Sequence, residues 1–344
     1  MDPSLRLAVE LPPVPAGRAT TPASLAPWWQ SVLASVRAGA GVVWFTGGVG
    51  ADQGAVPGQS LADLACDACT IAAAAVTLQV PALLGVVSML PVDRHPAVLA
   101  RDVTTLDVVS GGRAAVLLRW ACGAPGQPGT GPQGEVPGEP SAACAYLGEA
   151  VAVCRSVLVD DVPFFVGDHL HVAGAVNRPP PRRPGGPPIF VEVLTGAAGL
   201  ARRAVGRGLL LRQASSAAAA IVCPDDPGEI ELWRAFAEET TVSSRSGGDA
   251  SQVPDIVCRA TLRHAWAGTA TRSRRAPTPA GPSSGPGSLS GLRARLDAAV
   301  AAGAGGVIIR VPPGRQGDGT LHPEPEDAQG LAAELAECFE PWRR

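Results

Sequence analysis

Short apolar runs alternate with longer amphipathic, alanine-rich runs along most of this 344-residue chain. The apolar runs occupy residues 5–11, 41–45, 80–88, 114–120, 189–194, 208–211, 256–262 and 306–311, each of strand length. They read as nearly continuous hydrophobic stretches, not as alternation, which is the pattern of strands covered on both faces. Helical patterns fall at about 24–39, 60–75, 95–109, 145–159, 198–205, 227–240, 289–302 and 326–340, and VGDHLHV within 164–172 is a strand or hairpin pattern. Parallel strands cannot be joined by tight turns and need crossovers, so eight such units predict an α/β fold, a (β/α)8 TIM barrel. The Pro/Gly-rich stretches at about 123–141 and 267–288 then read as insertion loops on one domain spanning 1–344.

Composition narrows the chemistry. With 46% hydrophobic residues the chain has ample material for a large core. A net charge of −3 gives no reason to expect nucleic acid as a partner. Every basic side chain other than His is arginine, and lysine is absent, which excludes a Walker-type phosphate loop, a kinase Lys–Glu pair and Schiff-base chemistry. The uncharged stretch 68–92 is long enough to raise the question of a membrane span. Pro81, Gly85 and polar residues interrupt it, so it is expected to be a helix end, a turn and a buried strand. The opening MDPSLRLAVELPP lacks a basic segment followed by an apolar run, so a cytoplasmic location without membrane contact is expected. The eight cysteines show no framework spacing and are expected to be reduced, buried small hydrophobes.

Several motifs are weak on physical grounds. Gly129-Thr-Gly131-Pro-Gln-Gly134 has the dinucleotide spacing but lies in a Pro-rich loop, without a strand before it or a helix after it. Cys66-x-x-Cys69 sits in a helical apolar run with no second ligand pair, so core packing is expected. His169-x-His171 puts two imidazoles on one face of a strand, with no third ligand identifiable, and no metal is expected there.

The most informative stretch is His95–Arg113, HPAVLARDVTTLDVVSGGR. It reads as a helix with Pro in its first turn and an apolar stripe through Leu99, Val103 and Leu106. Ser110-Gly111-Gly112 follows, a turn able to take positive φ, and Asp102 and Asp107 are expected to pair with arginines. Its His-Pro, Ala-Arg, Leu-Asp and Ser-Gly-Gly-Arg at this spacing resemble the bacterial luciferase-like monooxygenase family. Other stretches resemble that family in order: Ala38–Trp44, residues 149–165 with Val166-Gly167-Asp168-His169, Pro187-Pro188-Ile189-Phe190-Val191, and residues 301–309.

The resemblance implies an oxidoreductase or monooxygenase that uses a reduced flavin, FMN, or its deazaflavin counterpart, coenzyme F420, to oxidise or reduce a small organic substrate. It places a phosphate cradle at Thr195, Gly196, Ala197 and Ala198. Small residues there let backbone N–H groups approach an anion, and a helix starting there turns its positive end toward it. Seven arginines between Arg178 and Arg212 form a basic rim around it. Gly85 to Ser88 would lie along the cofactor ring, and Arg119 and Trp120 would shape the substrate side; no general acid or base is identified. The partners implied are the small-molecule substrate and a flavin reductase, with a homodimer left open. Three stretches depart from the family pattern: Thr46–Gly50, Arg119–Cys122 and Gly206–Gly208. They support an alternative, a non-catalytic barrel homologue with a degenerate cofactor site and no cofactor, acting as a binding or regulatory protein. A weaker third reading is a cofactor-free enzyme acting on a phosphorylated small molecule.

Overall fold

The computed structural model describes residues 2–14, 25–47, 66–90, 94–120, 129–131, 134–136, 140–192, 220–245, 255–262, 289–311 and 328–343. Strand β1 (Leu7–Leu11), helix α1 (Ala26–Arg37), β2 (Val42–Thr46), α2 (Ala68–Ala75), β3 (Leu83–Leu90), α3 (Pro96–Ser110) and β4 (Ala114–Trp120) follow one another as strand–helix units. A small antiparallel ladder comes next, β5 (Gly129–Gly131) with β6 (Gly134–Val136), and then α4 (Pro140–Val159). The hairpin β7 (Phe164–Val166) and β8 (His171–Ala173) leads to β9 (Ile189–Glu192) and β10 (Ala220–Pro224). The chain closes through α5 (Pro227–Arg245), β11 (Asp255–Thr261), α6 (Leu289–Ala301), β12 (Gly306–Arg310) and α7 (Ala328–Arg343).

Eight strands, β1 to β4 and β9 to β12, pair in parallel into a closed barrel in the order β1-β12-β11-β10-β9-β4-β3-β2. The β1–β12 pairing, Leu7 opposite Val307 through Glu10 opposite Arg310, closes the ring. The (β/α)8 barrel expected from the pattern is therefore the fold.

One strand assignment is corrected. The sixth barrel strand is Ala220–Pro224, seated between Ile189–Glu192 and Asp255–Thr261, not 208–211, which lies outside the described residues together with the helix expected at 198–205. The Ala217–Ala220 run hid it, because alanine carries no β signal and the remaining apolar core is only Ile221-Val222-Cys223. Helix α4 also begins at Pro140, inside the stretch expected to be a loop.

Two apolar layers flank each strand. Ala8, Val42, Trp44, Leu83, Val87, Ala115, Leu117, Phe190, Ala220, Val222, Val257 and Ile308 pack together inside the barrel. The opposite faces (Val9, Val43, Leu84, Val116, Ile221 and Ile309 among them) pack against the helices. Burial on both faces is the physical reason these strands read as unbroken apolar runs. Among the described residues no helix is long and apolar enough to cross a membrane.

Candidate functional site

In barrels of this kind, the strands' C-terminal ends and the loops after them carry the chemistry, while the opposite end carries stability. Five strands of this chain end in a single inward charged residue: Glu10 on β1, Arg119 on β4, Glu192 on β9, Arg259 on β11 and Arg310 on β12. Barrel closure brings them together. Arg119 spans the interior to Glu10 in a two-pronged pair, Nη1 to Oε1 at 2.9 Å and Nη2 to Oε2 at 2.7 Å. Its Nε donates to Glu192 Oε2. Arg259 Nε lies 2.8 Å from Glu192 Oε1, Arg310 Nε lies 3.8 Å from Glu10 Oε1, and Thr46 Oγ1 donates to Glu10 Oε1 at 3.2 Å.

The exposures order this layer. Arg119, Glu10 and Glu192 are 2%, 1% and 2% exposed, whereas Arg259 and Arg310 are 17% and 16% exposed. The first three form a sealed floor, and the two outer arginines are the part that solvent reaches. Three arginines face two glutamates, so the described layer carries one positive charge in excess.

The titration behaviour follows from that arrangement. Burial alone pushes the Glu10 carboxyl up, but the charge and hydrogen bonds of Arg119, with Arg259 and Arg310 behind, overcome it and hold the group at about 2. Burial likewise opposes the charge on Arg119, and Glu10 and Glu192 more than reverse this, so its guanidinium stays protonated. Arg310 is different: burial lowers it, Glu10 offsets only part of that, and the like charges of Arg119 and Arg259 lower it further.

A pH prediction follows. A carboxyl held below its ordinary value favours folding above that value and loses the contribution as pH falls toward the lowered one. Stability measured by urea denaturation is therefore expected to hold near neutrality and decline between pH 4.5 and about 2. In Glu10→Gln that part of the acid decline disappears; an unchanged acid profile refutes the assignment.

The residues expected along a cofactor ring are placed as follows. Gly85 faces inward and lies under the indole of Trp44; a Cβ built there would meet Trp44 Cε3 at 2.2 Å. The glycine thus makes room for a tryptophan. Ser88 is 2% exposed and lies at the outward register of β3, in step with Leu84, Val86 and Leu90. Gly85 and Ser88 therefore do not line one surface. Arg119 and Trp120 also part company, because adjacent strand residues point to opposite faces. Arg119 enters the charged layer, while Trp120 packs outward, its ring 5.5 Å from Tyr146 of α4 in an edge-on contact. Thr195, Gly196, Ala197 and Ala198 lie outside the described residues.

The motif that carries most of the family resemblance spans α3, from the C-terminal end of β3 back to the start of β4 at the barrel's other end. His95 caps α3, its Nδ1 accepting from Ala97 N at 3.1 Å. Gly111 and Gly112 have φ of 77° and 90°, the left-handed turn that ends α3. Arg113 then binds back, Nε to Ser110 O at 2.8 Å and Nη1 to Val80 O. Asp102 pairs with Arg94, as expected. Asp107 pairs with no arginine side chain among the described residues; its Oδ2 accepts the backbone N–H of Arg182 at 2.6 Å and of Arg183 at 3.0 Å. Glu149 similarly fastens the β7–β8 turn, accepting from the N–H groups of Asp168, His169 and Leu170 at 2.8–2.9 Å. These contacts secure the frame; of them, the Ser110–Arg113 turn lies before β4, at the end of that strand remote from Arg119.

Among the described residues no group of three or more His, Cys, Asp or Glu side chains is placed to hold a metal ion. Cys66, Cys69, Cys154, Cys223, Cys258 and Cys338 are not in disulfides. Burial pushes Cys154 and Cys338 up to about 12 and raises Cys223 and Cys258 as well. Because the thiolate is the reactive form, a disulfide reagent added to native protein is expected to leave these four unlabelled while reaching the half-buried Cys66 and Cys69 first. Peptide mapping checks this, and early labelling of Cys223 or Cys258 counts against it.

The chain matches the family described as luciferase-like monooxygenase over residues 9–250 and belongs to it. A sequence search among curated proteins finds no match. Three solved structures share the fold at low identity. An F420-dependent secondary alcohol dehydrogenase in complex with an F420–acetone adduct aligns with a TM-score of 0.62 and 14% identity, covering 98% of this chain and 99% of that one. Monooxygenase RslO1 from Streptomyces bottropensis gives 0.58 and 16%, covering 98% and 100%. EDTA monooxygenase from Chelativorans sp. BNC1 gives 0.56 and 13%, covering 97% and 93%.

Proposed function

We propose that this protein is an oxidoreductase that uses reduced FMN or the deazaflavin F420 at the C-terminal mouth of its barrel to oxidise or reduce a small organic substrate. The observation that carries the reading is the charged layer closing the barrel just below that mouth, sealed at Arg119, Glu10 and Glu192 and net positive once Arg259 and Arg310 are counted. Such a floor excludes water from beneath a reacting group and presents fixed positive charge to an anionic cofactor or substrate. Among the described residues Arg259 Nη1 is buried without a hydrogen-bond partner, which suits a layer that gains an acceptor from above.

Family membership supports the cofactor class, and the folds of an F420-dependent dehydrogenase and of two monooxygenases align along nearly the whole chain. A reduced flavin or deazaflavin supplies hydride or reducing equivalents for oxygen, so the protein's own task is to bind, orient and shield. The cradle role of Thr195, Gly196, Ala197 and Ala198 rests on the family resemblance. Gly85 is not offered as a ring seat, because Trp44 occupies the space over it. A flavin reductase as partner and a single domain over 1–344 belong to the same proposal.

Absorbance and fluorescence titrations with FMN and with F420, oxidised and reduced, test the reading. Saturable binding of one of them is expected, followed by cofactor-dependent turnover on a substrate panel. Failure of both to bind overturns it.

One observation favours the alternative of a non-catalytic homologue. The two carboxylates of the mouth layer are both tied to arginines, and Glu10 is held at about 2, far from a pKa suited to proton transfer near neutrality. That reading expects no turnover with either reduced cofactor and a stable protein partner on pull-down; measured turnover removes it.

A further inference from the structure

We infer that Arg259 and Arg310 form a subsite for an oxyanion, a carboxylate or phosphate carried by the organic substrate. The inference rests on the oxidoreductase reading only in taking the substrate to enter at the barrel mouth. Each of the two arginines uses its Nε toward a buried glutamate, Arg259 toward Glu192 at 2.8 Å and Arg310 toward Glu10 at 3.8 Å. That holds each side chain at its neck, and among the described residues Arg259 Nη1 has no acceptor.

The glutamates cannot satisfy both outer arginines. Glu10 already receives two bonds from Arg119 and one from Thr46, and Glu192 is shared between Arg119 and Arg259. Asp225, just beyond the end of β10, pairs with Arg295 at 2.8 Å. Among the described residues Arg259 Nη1 is accordingly buried with no acceptor. Leaving a charged donor dry and unpaired is costly, and one excess positive charge in a poorly hydrated layer adds to that cost. An entering oxyanion relieves both at once, since guanidinium forks match the geometry of carboxylate and phosphate oxygens. The lowered affinity of Arg310 for its proton, caused first by burial and then by the neighbouring arginines, reports the same crowding of like charge.

Adjacency of the strands gives the subsite its shape. β11 and β12 are neighbours in the barrel, with Arg259 opposite Ile308 and Arg310 opposite Thr261, so the two guanidinium groups rise from one edge of the mouth. They are also the only two members of the five-residue layer with appreciable exposure, 17% and 16%. A substrate bearing a carboxylate or phosphate would be held by that end against β11 and β12, which orients the remainder across the mouth.

Calorimetric titration of the full chain with succinate, neutral succinamide and inorganic phosphate at millimolar concentration tests the subsite. Wild type is expected to bind the anions and not succinamide. Arg259→Met and Arg310→Met are each expected to weaken anion binding roughly tenfold or more, with added salt weakening it in wild type. Equal behaviour of succinate and succinamide, absence of anion binding, or undiminished binding in both variants overturns the proposal. Should a variant fail to fold, judged by its near-UV circular dichroism, the wild-type comparison of anion with amide decides alone.

Parallel titrations with FMN and riboflavin separate substrate from cofactor. The preference for FMN is expected to persist in both variants. If it vanishes in them, and succinate does not bind wild type, the arginines serve the cofactor phosphate and the substrate assignment is overturned. Binding of succinate by a protein that takes up neither FMN nor F420 would instead sink the oxidoreductase reading and leave this subsite standing.

Discussion

Arg119→Met is expected to lower the free energy of unfolding by about 3–5 kcal/mol, the usual cost of removing one partner from a buried ion pair. Arg119 is 2% exposed and is the sole member of the layer that bonds to both glutamates. Its removal takes both prongs from Glu10, leaving among the described residues Arg310 at 3.8 Å and the Thr46 hydroxyl. Glu192 retains Arg259 at 2.8 Å, so the damage falls mainly on Glu10. Adding Glu10→Gln to Arg119→Met removes the stranded charge, and the double variant is therefore expected to regain part of the loss. Urea denaturation of wild type, both single variants and the double variant measures this. A double variant as unstable as the sum of the singles would show that the two side chains are not coupled.

Trp44→Ala is expected to cost a further large amount, about 3–5 kcal/mol, by emptying the centre of the barrel. Trp44 is wholly buried, its ring 5.0 Å from Phe190 in an edge-on contact and pressed on Gly85. Gly85→Ala alone is expected to cost about 1–3 kcal/mol, since the new methyl group cannot share the space with Trp44 Cε3 and the surrounding strands hold the indole in place. In the Trp44→Ala background the same Gly85→Ala change finds room and fills part of the cavity, so it should be neutral or stabilising. A double-mutant cycle by denaturation or calorimetry reads this coupling. Simple additivity would refute the close approach of residues 44 and 85.

The two predictions concern different layers of one interior, and together they explain the local sequence. The middle layer is apolar and needs a glycine because it holds a tryptophan. The layer above it is charged and must be largely neutralised from within because its inner members, Arg119, Glu10 and Glu192, are sealed from water. The functional reading depends on that neutralisation being incomplete on one side, at Arg259 and Arg310.

Local pattern alone was enough to predict most of the frame. Continuous apolar runs marked seven of the eight barrel strands, since strands covered on both faces have no polar side to display. The α3 stretch and its Ser-Gly-Gly turn were legible because caps and positive-φ turns involve residues a few positions apart. The strand at Ala220–Pro224 was not, because an alanine run gives no strand signal and only its pairing with β9 and β11 identifies it.

The charged layer was a different matter. Glu10, Glu192, Arg259 and Arg310 each stand as one ionisable residue near the end of an apolar strand, and such solitary charges are the signal that could have singled them out. Arg119 reads in the sequence as a neighbour of Trp120, although the strand's two-residue period sends them to opposite sides. What the sequence determined by itself was the repeating unit and the family, because both are written in short-range spacing. Only the tertiary structure decided which of those charges meet, because residues 10, 119, 192, 259 and 310 become neighbours through closure of the ring, which no local pattern encodes.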